Sequence, residues 1–86
     1  MVEREIEIKL AGGLEARPVA MLVQVASQYE SSVYIQIDAN KRVNAKSIMG
    51  MMSLGLNAGE KVVVEADGSD EEAAINHIEK YLSGEN

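Results

Sequence analysis

Cysteine is absent from the 86 residues, which removes disulfide staples and thiolate metal sites from consideration. That fits a reducing compartment, and a cytoplasmic location is expected. Tryptophan and phenylalanine are missing too, so Tyr29, Tyr34 and Tyr81 are the only aromatic side chains. A core must then be built from aliphatic and methionine residues. No apolar run approaches the roughly 20 residues of a membrane span. The first ten residues alternate charge and aliphatic, unlike the apolar stretch of a signal peptide. Basic residues are scarce, 8 Lys and Arg against 14 Asp and Glu, for a net charge of −6. Such a surface does not neutralise phosphates broadly, so direct nucleic-acid binding is not expected.

What remains is 47% hydrophobic and orders itself into periodic segments. Val2, Ile6, Ile8 and Leu10 alternate with Glu3, Glu5, Glu7 and Lys9, a strand with one wet face, and Arg4 interrupts the apolar side as at a frayed strand start. From Pro18 to Tyr29 the spacing becomes helical: Val19, Leu22, Val23 and Ala26 form the stripe, widened by Met21, Val25 and Tyr29. Val33, Ile35 and Ile37 mark a second strand, with a hairpin over 38–41 and a short return from Arg42 to Ala45. A short helix follows from Lys46 to Leu56, capped by Ser47 and weakened by Gly50 and Gly55. Lys61 to Ala66 is the fourth strand. Ser69 to Glu72 reads as a capping box opening a last helix with the stripe Ala74, Ile75, Ile78, Tyr81 and Leu82. The order is β-α-β-β-α-β-α, expected as one α+β domain over 1–86. Its stripes are buried by a four-stranded, mostly antiparallel sheet with three helices on one face.

Enzyme constellations are sparse. His77, the one histidine, lies on the last helix away from the apolar stripe and reads as a solvated residue, with no metal and no cofactor expected. Two places stand out. Gly12-Gly13-Leu14-Glu15-Ala16-Arg17-Pro18 is a turn running into a helix start, with a carboxylate and a guanidinium at the junction. Ser47 begins the short helix. It is either a plain cap contributing ~1 kcal/mol or a phosphorylation site at a helix start, where free amides favour added negative charge. Behind it Ile48, Met49, Met51, Met52 and Leu54 cannot all face inward, so some form an adaptable apolar contact surface.

The runs "LEARPVAMLVQVAS" and "VNAKSIMGMMSLGL" resemble the HPr family, histidine-containing phosphocarriers of the bacterial sugar phosphotransferase system, along essentially the whole chain. The resemblance implies an HPr-like open-faced β-sandwich. The family has His-Ala-Arg-Pro at the first site; here Ala16, Arg17 and Pro18 are kept and Glu15 replaces the phosphorylated histidine. A carboxylate repels an incoming phosphoryl group where imidazole accepts it, so ordinary phosphocarrier activity is not expected. Ser47 matches the serine that an ATP-dependent HPr kinase/phosphorylase modifies. The chain is most similar to the catabolite repression HPr (Crh) subgroup, which keeps the serine and lacks the histidine. That similarity implies a non-enzymatic corepressor of a LacI-type catabolite control protein, with Arg17, Lys46, Ile48, Met49 and Met52 on the partner side and Met51 inward. Arg17 and Lys46 are expected to share one cationic face. Phosphotransfer through Glu15, or an unphosphorylated interaction module, stays open as an alternative. So do a monomer and a homodimer that exchanges its first strand through the glycine hinge.

Overall fold

The computed structural model describes residues 1–9, 16–38, 40–53 and 59–84, and the side chains of all of these except residues 16–18. Several expectations lie outside them: the strand end at Leu10, the glycine turn, Glu15, the Arg17 side chain, Leu54 and Gly55. The described elements are β1 (Val2–Glu7), α1 (Ala16–Ser27), β2 (Ser32–Asp38), β3 (Lys41–Asn44), α2 (Ile48–Met52), β4 (Lys61–Asp67) and α3 (Glu71–Leu82). The order β-α-β-β-α-β-α is the one the periodicity indicates.

The sheet runs β1-β4-β2-β3, and every described neighbouring pair is antiparallel. Val2 faces Ala66, Ile6 faces Val62, and Val33 and Ile35 face Ala66 and Val64. Alternation therefore sends Ile6, Val33, Ile35, Val62, Val64 and Ala66 to one side, where they are buried. The three helices cover that side with Val19, Leu22, Ala26, Met51, Ala74, Ile75, Ile78 and Leu82. The opposite side carries Glu3, Glu5, Glu7, Tyr34, Gln36 and Arg42, as one-sided burial of an antiparallel sheet requires.

Local differences from the sequence reading have identifiable causes. Helix α1 begins two residues before Pro18, which stays in the first turn, where missing amide donors cost nothing. It ends at Ser27, not Tyr29, because Gln28 and Tyr29 donate to carbonyls three residues back and tighten the chain out of the helix. Helix α2 is five residues, shorter than the span from Lys46 to Leu56. Arg4 does not fray: its guanidinium reaches across to α3 and donates at 2.7 Å to both Asn76 and Glu79. The core is aliphatic as expected but not rich in methionine. Only Met51 is buried, and Met21, placed in the stripe of α1 by its spacing, faces solvent.

The capping box at Ser69 does not form. Asp70 is the N-cap of α3, and its carboxylate makes no cap bond to its own helix. Instead it reaches the α1–β2 junction, accepting from the Glu30 amide at 2.9 Å, the Ser31 amide at 3.0 Å and the Ser31 hydroxyl. Glu71 takes over the local role and accepts from the Gly68 amide at 3.1 Å.

Candidate functional site

The segment leading into α2 is shaped by asparagine. As β3 ends, the Asn44 side-chain oxygen accepts from the Lys46 amide at 2.8 Å and its carbonyl from the Ser47 amide at 3.0 Å, a turn that asparagine makes readily. Ala45, fully buried, donates its amide to the Val33 carbonyl at 2.8 Å and pins the turn to the sheet. Ser47 then takes an extended backbone conformation, φ −107° and ψ 112°, as an N-cap does. Its hydroxyl oxygen accepts from the Gly50 amide at 3.2 Å. Ser53 closes the other end, its hydroxyl donating to the Gly50 carbonyl at 2.7 Å.

A helix this short has two sides. Met51 faces the core and is sealed, while Ile48, Met49 and Met52 stand in solvent. Residues 48 and 52 are four apart and 49 and 52 three apart, so the three share one surface beside the serine. Among the described hydrogen bonds, Ser47 Oγ has an amide donor and no base.

Lys46 sits differently from the charge pairing read in the sequence. Its ammonium donates to the Tyr29 carbonyl at 2.7 Å, just past the C-terminal end of α1. Arg17 lies in the first turn of α1, and twelve residues of helical rise separate the two ends by about 18 Å. The Lys46 ammonium therefore interacts with the C-terminal end of the helix dipole, not with the end that carries Arg17.

His77 also departs from its reading. It is half-buried, its Nδ1 hydrogen-bonded to the Tyr29 hydroxyl at 2.7 Å and its ring set edge-on to Tyr29, with centroids 5.8 Å apart. Tyr29 thus meets α3 through its side chain and Lys46 through its backbone.

A second polar cluster, missed in the sequence, occupies the open face of the sheet. Glu65 is only 5% exposed, and the Arg42 guanidinium donates to its carboxylate at 3.1 Å while stacking over Tyr34, 3.8 Å from the ring centroid. The signal was a glutamate inside Val62-Val63-Val64-Glu65-Ala66, where a buried charge needs a partner. No helix in the described residues is long and apolar enough to cross a membrane.

Comparison with known proteins matches nearly the whole chain. The model for the "PTS HPr component phosphorylation site" family matches residues 2–83. The HPr-like protein Crh of Bacillus subtilis is 44% identical over 85 residues, covering 99% of this chain and 99% of that protein. The crystal structure of HPr-C-His from Thermoanaerobacter tengcongensis aligns with a TM-score of 0.86 at 47% identity, covering 100% of this chain and 99% of that one. A crystal structure of Crh from Bacillus subtilis, described as a domain-swapped, intertwined dimer, aligns at 0.78 and 42% identity over 100% and 98% of the two chains. With the fold and nearly the whole length matched, this chain belongs to the HPr family of the phosphotransferase system, in its Crh subgroup.

Proposed function

We propose that this Crh-type protein is a corepressor switched by phosphorylation of Ser47. An ATP-dependent HPr kinase/phosphorylase places the phosphate, and the phosphoserine form docks on a LacI-type catabolite control protein. The observation that carries the reading is the pairing at α2: a half-buried capping hydroxyl at the helix start, bordered by Ile48, Met49 and Met52 in solvent. A phosphate there adds about −1.5 to −2 charges and strong acceptors for a cationic partner. The three apolar side chains supply desolvated contact area around it. In this reading Arg17 contacts the partner, and Glu15 in place of histidine ends phosphocarrier transfer. Lys46 contacts the partner too, and in the unmodified protein its bond to the Tyr29 carbonyl holds the approach to α2.

Incubation with the kinase, ATP and Mg²⁺ is the test. Wild type gains one phosphate by mass, Ser47→Ala gains none, and only the phosphorylated form binds the repressor. A wild-type chain that stays unmodified overturns the reading. Glu15→His then checks the other site: phosphoenolpyruvate-dependent labelling by the first enzyme of the sugar system is expected to appear with that one change.

A further inference from the structure

All the sulfur of this chain is methionine sulfur, because there is no cysteine to intercept an oxidant. Its five methionines fall into two groups. Met49 is 86% exposed, Met52 55%, Met1 61% and Met21 48%, while Met51 is fully enclosed between its two exposed helix neighbours. Exposure of the thioether decides how readily it is oxidised, and the change turns a flexible apolar side chain into a polar one. Two of the four exposed sulfurs lie on the surface that also presents Ile48 beside the capped serine.

We propose that Met49 and Met52 form an oxidation-sensitive site, at which peroxide-class oxidants convert the apolar surface of α2 into a polar one. The thioether sulfur attacks one peroxide oxygen. An S–O bond forms as the O–O bond breaks, sulfur loses two electrons, and the displaced hydroxide takes up the remaining proton as water. The sulfoxide oxygen is a strong acceptor that α2 cannot satisfy internally from an outward-facing position. A partner that covers the patch must therefore strip water from it, and docking weakens. This last step rests on the corepressor reading; the oxidation itself does not.

Limited hydrogen peroxide treatment of the folded chain, followed by peptide mass mapping, tests the site. Met49 and Met52 should oxidise on the time scale of Met1, with Met51 unmodified until the protein is denatured. Equal rates at Met51 and Met49 in the folded protein overturn the proposal. Retention on a hydrophobic-interaction column gives a readout free of any partner. Oxidised wild type should elute earlier than its untreated sample, and the double variant Met49→Leu/Met52→Leu, which keeps the exposed Met1 and Met21, should shift by clearly less; an unshifted wild type, or an equal shift in the double variant, also overturns it. Repressor binding of Ser47-phosphorylated protein completes the test, each protein being compared with its own untreated sample. Oxidised wild type is expected to bind about tenfold more weakly, with methionine sulfoxide reductase restoring the loss and the double variant changing less than about twofold. Unchanged binding after complete oxidation of both residues refutes the docking consequence. Failure of untreated phosphoprotein to bind at all refutes the corepressor reading and leaves the mapped site standing.

Discussion

Ser47 holds one hydrogen bond that any phosphate must rearrange, the one from the Gly50 amide to its hydroxyl oxygen. Ser47→Ala removes that cap from a five-residue helix and is expected to lower stability by about 1 kcal/mol in a denaturant titration. At that modest cost the variant is expected to fold, which a far-UV circular dichroism spectrum checks before its use as a phosphorylation control. Asp70 carries a pH signature. The Ser31 hydroxyl bond chiefly, then the Glu30 amide, hold its carboxyl below the ordinary value of 3.8. A carboxyl depressed in the folded state stabilises the protein fully above its unfolded value, and that stability is lost as pH falls through the lower folded value. Wild type should thus lose melting temperature on acidification below about pH 4, and Asp70→Asn should show a shallower fall over that window. Parallel acid profiles for the two would exclude Asp70 as a source.

At the scale of elements, α2 combines a sealed side with an open one. Met51→Ala opens a void in a packed interior and should cost roughly 2–5 kcal/mol, whereas Met49→Ala should change stability by less than about 0.5 kcal/mol. Chemical denaturation of the two variants separates an inward from an outward methionine about 3 Å apart along the helix axis. The element order and the strand faces were legible because period-two and period-3.6 burial leave strong marks on Val2 to Ile8, Val19 to Ala26 and Lys61 to Ala66. Element ends were less legible. Helix α1 stops at Ser27 through carbonyl sharing by Gln28 and Tyr29, and α2 stops at Met52 with Ser53 bonding back to Gly50. Neither event changes the hydrophobic pattern. The capped serine and the outward methionines could be read locally, since a cap and its helix are neighbours in sequence. The partners of Lys46, Asp70 and His77 could not, because each bonds to residues 29–31, 17 to 48 positions away. The Ser69 capping box failed for the same reason: Asp70 had a distant set of donors that no local motif displays.

For the whole molecule, the sheet order places β1 and β3 at the edges, and β1 is held to β4 by six paired positions from Val2–Ala66 to Glu7–Lys61. An edge strand that leaves one copy can restore all six pairs on another. If β1 exchanges between two copies in this way, the product is a dimer. Light scattering after size-exclusion chromatography should then show a dimer fraction that grows with concentration and redistributes slowly on dilution. A single monomer mass from micromolar to millimolar concentration would count against it.

The junction between α1 and β2 carries one more consequence. Lys46 approaches it from the turn before α2, while Asp70, the N-cap, and His77 approach it from α3. Glu30 is exposed, yet its amide is bonded to a carboxylate forty positions further along the chain. Exposure to solvent and exposure to exchange are thus uncoupled at this spot. In deuterated water the Glu30 and Ser31 amides should hold their protons about as long as those of β2, because release needs α3 to lift away. Rapid exchange there, with β2 still protected, would mean that α3 opens alone. These two amides are a clock for the last helix, readable without touching it.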